Sequence, residues 1–297
     1  MGVIKVGTSS WADRTLVRSG WYPRQVNTPA GRLGHYAERF GLVEVDTSYY
    51  AVPAPETAQG WVDATPEGFT FNVKAFSLFT GHPTPVATLP ADLRPTGGPT
   101  RIRRRDLPTA AYDELWSRFR AALTPIAAAG RLGAVLLQFP PWLARGEAAR
   151  RRITELASRC RPWRVAVELR HASWFDGTAA LETLAFLRAQ ELTFCCVDMP
   201  QGHPDSVPPI PVATADLAMI RFHGHSSAWT SGDKEDRFRY AYGDEELRRW
   251  SELLVDLAGQ ADELHVLFNN CCAGQAQRDA ERLAGLLDGA DRRAVRS

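Results

Sequence analysis

Ala218-Met219-Ile220-Arg221-Phe222-His223 is a strand-like run that starts apolar and turns polar at its end. The chain repeats this pattern about eight times. The other runs are Ile4–Thr8, Leu42–Asp46, Phe69–Lys74, Gly133–Gln138, Arg164–Glu168, Thr193–Asp198 and Leu264–Asn269. Each is short and mostly apolar, as a strand buried on both faces should be. Helical stretches separate most of them. Alternation of this kind predicts a parallel sheet covered by helices. In a closed barrel the strand C-termini all open on one face, where active sites are built. The polar run-ends therefore locate a site without naming its reaction.

Outward from these runs, 297 residues suit one α/β barrel, and no shift in composition divides the chain. A single domain over residues 1–297 is expected. The net charge of +1 supplies no global field toward nucleic acid or membrane. Lysine occurs only at Lys5, Lys74 and Lys234, while arginine is abundant. Arginine's planar fork suits carboxylate and phosphate, although base composition of the genome explains such a bias as well. No run of about 18 apolar residues appears, so no membrane span is expected. The start of the chain runs from Met1 into a strand without a basic segment and apolar core, so no secretory signal is expected. The cysteines Cys160, Cys195, Cys196, Cys271 and Cys272 lack metal spacing and read as reduced thiols of a cytoplasmic protein.

Helix signals fall between the runs. Thr28-Pro29 opens a helix to about Phe40, and Pro55-Glu56 opens one to about Ala64. Further helices are expected over about 109–129, 146–159, 178–190, 244–259, with Asp244 as cap, and 273–287. Residues 200–214 are proline-rich and predict at most a short helical turn. Two long loops stand out. Residues 79–108, after the third strand, carry the basic run Arg101-Ile-Arg-Arg-Arg105, and residues 224–242 follow the seventh. Loops of this length are usually functional. A doubly wound sheet is the rival architecture, but its glycine-rich phosphate turn is missing: the first turn reads Gly7-Thr-Ser-Ser-Trp11.

Several segments together, in order, carry a resemblance. They include Gly7–Trp11, Trp21-Tyr-Pro23, Val43-Glu-Val-Asp-Thr-Ser-Tyr-Tyr50, Phe71-Asn-Val-Lys74, Gln138-Phe-Pro-Pro141, Val167-Glu-Leu-Arg-His-Ala-Ser-Trp-Phe175, Ile220-Arg-Phe-His-Gly224 and Phe268-Asn-Asn270. On these the chain resembles the domain-of-unknown-function 72 family, also called YecE-like, over nearly its whole length. The resemblance implies a TIM-type barrel and no established reaction. Where that family's second-strand segment tends to have Asn and Phe, this chain has Asp46 and Tyr49. Cys271-Cys272 follow the family's paired asparagines.

The run-ends give the candidate site. Glu44, Lys74, Glu168, Asp198 and His223 are the candidate catalytic groups. Trp11, Asp46, Tyr50, Gln138, Arg170, His171, Arg221, Asn269 and Asn270 are the candidate ligand contacts. Residues two apart, such as Glu44 with Asp46 or Arg221 with His223, share a strand face. A bland alternative is a layer of buried ion pairs, Glu168 with Arg221 for instance, that only closes the barrel. Lys74 reads as a phosphate or carboxylate contact first, since no aldolase-type motif supports a Schiff base. The cofactor is unknown. Oxygen and nitrogen donors suffice for a divalent metal, but no H-x-H or H-E-x-x-H motif requires one. Glu44 and Glu168 are also a candidate glycosidase pair. An anion cradle is expected after the last two strands, from Arg221, His223, Gly224, Ser226, Asn269, Asn270 and a helix opening at Ala273-Gly274.

The expectation is thus an α/β protein, a single (β/α)8 TIM-type barrel with long loops after strands 3 and 7. Its mouth is expected to hold a hydrolase- or lyase-like enzyme site for an anionic ligand, either a phosphorylated metabolite or nucleic acid. A non-catalytic anion-binding protein and a glycoside-active enzyme are the alternatives. Oligomeric state is not legible.

Overall fold

A computed structural model of the protein describes residues 2–203, 205–230 and 234–294. Eight parallel strands close one barrel. They are β1 (Val3–Ser9), β2 (Leu42–Val45), β3 (Thr70–Lys74), β4 (Leu132–Gln138), β5 (Val165–Glu168), β6 (Thr193–Asp198), β7 (Leu217–Phe222) and β8 (Glu263–Phe268). They neighbour one another in chain order, and β8 returns to pair with β1, Ile4 beside Leu264 and Thr8 beside Phe268. The apolar runs are therefore the staves of a TIM-type barrel, with β6 and β7 buried along their whole length. At Gly133 the wall passes so close to its neighbours that an added Cβ would lie 2.6 Å from Asn72 Oδ1 and 2.7 Å from His265 Cε1. Only glycine fits there.

Among the described residues, seven helices of five residues or more cover the strands, apart from a short one at Arg14–Arg18: α1 (Pro29–Ala37), α2 (Pro55–Asp63), α3 (Thr109–Ala128), α4 (Glu147–Cys160), α5 (Ala179–Ala189), α6 (Asp244–Ala258) and α7 (Gln275–Ala294). Thr28 caps α1 as expected, its hydroxyl accepting from Gly31 N at 3.0 Å. The helix ends at Ala37, three residues before the expected stop. The start of α6 differs from expectation. Gly243 is its cap, with its N–H donating to Glu246 Oε2 at 2.7 Å, and Asp244 lies in the first turn. The start of α7 also moves, to Gln275, because Ala273 and Gly274 take φ of +50° and +74° and cannot be helical. Among the described residues no helix joins β6 to β7; the proline-rich segment runs without one.

Both long loops are present. The loop after β3 is pinned by a two-residue hairpin, Thr84–Pro85 with Arg101–Ile102. Its basic run folds back on itself: Arg101 donates to Pro83 O, Arg104 to Leu107 O, and Arg103 lies over Trp142. Residues 231–233 of the loop after β7 lie outside the described residues. All five cysteines are free. Among the described residues no helix is long and apolar enough to cross a membrane.

Candidate active site

Strand alternation sends Glu44 on β2, Glu168 on β5 and Arg221 on β7 into the barrel, where they meet. Arg221 Nη1 donates to Glu168 Oε2 at 2.5 Å and Nη2 to Glu44 Oε1 at 2.6 Å. All three side chains are essentially buried, Arg221 with 1% exposure. Glu168 gathers further donors: Gln138 Nε2 and Arg170 Nη1, each 3.0 Å from Oε1. Burial alone would raise the Glu168 carboxyl, but Arg221, His223 and Arg170 outweigh it and hold it well below the usual range. His223 is buried between Asn269 (Nδ1 to Nδ2, 2.9 Å) and Arg170 (Nε2 to Nη1, 3.3 Å). Burial pushes its imidazole down to about 3, so it is neutral at any physiological pH. Two carboxylates and two guanidiniums thus form a charge-balanced network at the top of the barrel.

Above this network lies a cavity of about 560 Å³. Lys74, Asp46, Tyr50, Arg221, Asn269 and Ser9 are among the residues that line it. The volume is that of a small-molecule site. The hydroxyl of Ser48 bonds the carbonyls of Val45 and Lys74, tying the ends of β2 and β3 together beneath it. Lys74 Nζ lies 4.4 Å from the centre of the Tyr49 ring. Among the described residues it makes no salt bridge and no hydrogen bond. Burial, and then the nearby Arg221, push its ammonium down to about 8 against the pull of Glu44, Glu168 and Asp46.

The aromatic rim continues from Tyr49 to His82 and Trp142, with ring centres 5.3 and 5.8 Å apart in turn. Tyr50 and Trp142 are half-exposed there. Burial and Lys74 hold His82 down at about 4.

Other candidates fall elsewhere. Asp198 points to the outer side of its strand, because Cys195 takes the inner side and lies near Glu168. Its carboxylate accepts from Tyr242 Oη at 2.6 Å and meets His225 Nε2 at 3.0 Å. It is not a cavity group. Asn270 turns away toward Asp279 Oδ2 and Tyr240 O. Trp11 packs edge-on against Trp61 behind the mouth. His171 accepts from Ser173 N and caps a turn. The expected anion cradle does not form as a unit. Ser226 donates to Asp236 O, Ala273 N donates to Thr15 Oγ1, and Gly274 packs on Ser19 and Leu16. Of that set only Arg221 and Asn269 reach the cavity.

Ser9, His82 and Phe238 were not legible as mouth residues, whereas Cys271, which the sequence places at the mouth, does line the cavity. Ser9 extends β1 one residue beyond the expected run. Cys271 Sγ lies 3.1 Å from Ser9 O, and burial holds its thiol well above the ordinary range. Among the described residues no three His, Cys, Asp or Glu side chains converge as a metal site.

Relatives share this architecture. A curated Bacillus subtilis (strain 168) protein, UPF0759 protein YunF, is 30% identical over 293 residues, covering 96% of this chain and 95% of its own. A crystal structure of a DUF72 family protein from Enterococcus faecalis V583 matches with a TM-score of 0.80 at 26% identity, covering 96% of both chains. One from Thermotoga maritima MSB8 matches with a TM-score of 0.77 at 29% identity, covering 96% and 99%. The family profile described as protein of unknown function DUF72 spans residues 5–296, and the chain belongs to that family.

Proposed function

We propose that the mouth is an enzyme site, hydrolase- or lyase-like, in which Lys74 moves a proton on a small ligand bearing a carboxylate or phosphate. The observation that carries this reading is the cavity that brings Lys74 together with Asp46, Arg221 and Asn269. The buried network beneath is already charge-balanced, so the Lys74 ammonium adds a cation that the network does not neutralise. An anionic group on the ligand fits beside it, with Asn269 as a neutral donor. A lysine held near 8 exchanges its proton close to neutral pH, which suits general acid–base work. The cavity volume favours a small metabolite over a nucleic-acid duplex.

The glycosidase reading is less well supported. Glu44 and Glu168 are both held by Arg221, neither lines the cavity, and Glu168 is too acidic to protonate a leaving group. A purely binding role would need the same contacts without a titrating lysine.

The test is a thermal-shift screen with phosphorylated metabolites, oxo acids, nucleotides and neutral sugars. A ligand at 100 times its Kd stabilises by about 2.7 kcal/mol. Stabilisation by anionic compounds that disappears in Lys74→Met is the expected result. Stabilisation by neutral sugars alone, or equal shifts in the variant, overturns the reading.

A further inference from the structure

We infer that Lys74 is an imine-forming residue, and that the ligand class of this cavity is an aldehyde or ketone carrying an anionic group. This rests on the mouth being the active site and deepens it by naming the bond that forms. The geometry is that of a presented amine. Lys74 stands at the end of β3, and its Nζ lies over the Tyr49 ring. Among the described residues it has no carboxylate, hydroxyl or carbonyl in hydrogen-bonding contact. Lys5 is the contrast within the same molecule: its ammonium is held by Glu263 Oε1 at 2.6 Å and by Thr70 Oγ1 at 2.7 Å. A lysine serving only as a structural cation is expected to look like Lys5. One that must lose a proton and attack carbon cannot be bound in that way.

The surroundings favour the free amine. Arg221 faces Lys74 from β7, Glu44 from β2, Asp46 from the turn just after β2, Glu168 from β5, and His82 and Tyr49 from the adjoining loops. Asp13, Arg14 and Glu235 line the cavity farther out. Burial and Arg221 dominate. At about 8 instead of 10.5, roughly 300-fold more of the amine is unprotonated at neutral pH. The neutral nitrogen adds its lone pair to the carbonyl carbon, and the C=O π pair moves to oxygen. Proton transfer from nitrogen to oxygen gives the carbinolamine. Loss of water then leaves a C=N bond, with no oxidant or reductant involved. The protonated imine draws electrons from the neighbouring carbon, which is what a lyase or a carbon–carbon bond-cleaving enzyme needs.

The experiment uses the full chain with pyruvate and, separately, pyridoxal 5′-phosphate as carbonyl probes. Borohydride reduction traps any imine, and peptide mass spectrometry places it. The three lysines make the readout simple. The expected result is a reduced adduct on Lys74 at several-fold higher occupancy than on Lys5, absent in Lys74→Arg. In parallel, trace acetylation of wild type across pH reports the Lys74 midpoint in the native and the urea-unfolded chain. No Lys74 adduct with either probe, or equal labelling of Lys5, overturns the imine. If the native midpoint is still near 8, the acid–base reading survives that loss. A native midpoint above about 10, the ordinary lysine range, removes both.

Discussion

At the floor of the barrel, Lys5 and Arg164 both donate to Glu263, at 2.6 and 2.8 Å, and Arg164 also holds Asp216 at 2.7 Å. His265 sits above them, Nδ1 against Asn72 Oδ1 at 3.0 Å and Nε2 3.2 Å from Glu263. At the mouth the same residue types, Lys, Arg, Glu and His, stand at the opposite strand ends. The floor pairs its charges near solvent: Glu263 keeps 18% exposure. The mouth buries two acids on one guanidinium and leaves a lysine facing a cavity beside them. A cleft of similar size, about 570 Å³, lies near the floor, but Arg164 on its wall is already bound to Asp216 and Glu263. The difference teaches where to look for chemistry. Strand-end charge alone does not mark a site. A charge left over after pairing does.

The comparison breaks most visibly at Arg221. Removing it leaves Glu44 and Glu168 buried without their shared counter-ion, which costs about 3–5 kcal/mol. Arg221→Met should lose that much in urea unfolding, and adding Glu44→Gln should recover part of it. A cost under about 1 kcal/mol would place the mouth network on a par with exposed pairs.

A floor variant should cost less. Glu263→Gln is expected to lose about 1–2 kcal/mol at pH 7, since the pairs are partly solvated. The close approach of His265 Nε2 at 3.2 Å, despite some burial, and the contacts of Lys5 hold the Glu263 carboxyl below its unfolded value. Its stabilisation is therefore present above the unfolded carboxylate range and is lost as pH falls. The gap between wild type and variant should close in acid. A gap that persists undiminished at low pH would remove Glu263 from the account.

Lys74→Met should move stability the other way. The folded chain binds the Lys74 proton less well than the unfolded chain, so wild-type stability rises with pH between about 8 and 10.5. The variant should gain about 1–2 kcal/mol at pH 7, because part of the ammonium's solvation is retained in the cavity. That gain should fade across the same window. A destabilised variant would mean that Lys74 is structural, like Lys5.

The smallest effect belongs to His225. Its hydrogen bond to Asp198 raises the imidazole above its ordinary value against partial burial. The stabilisation is present below the unfolded pKa and lost as pH rises through the folded one. His225→Gln should cost about 0.5 kcal/mol at pH 5.5 and nothing measurable at pH 9. Equal cost at both pH values would show packing alone.

The barrel was legible because buried parallel strands are near-continuous apolar runs, and every one of the eight lies within a few residues of its expected span. Spacing by two also paired Arg221 with His223 on the inner face, whereas Asp46 lies in the turn past the end of β2 and lines the cavity without Glu44. It did not settle Asp198, because Cys195 and Cys196 are equally able to face inward, and the choice of Cys195 turned Asp198 out to Tyr242. His82 was hidden because loop geometry alone brings it back beside Lys74. The anion cradle failed for a backbone reason: positive φ at Ala273 and Gly274 delays α7 and directs an N–H to Thr15.

The reach of Arg221 has a kinetic meaning. It joins residues 177 and 53 positions away along the chain. Such contacts form only after most of the barrel has closed, since loop-closure entropy opposes them until then. The mouth network is therefore expected to form late, after its strands have come together. Arg221→Met should accordingly speed unfolding while leaving the refolding rate nearly unchanged. A refolding rate that falls with the stability would instead place this guanidinium in the nucleus.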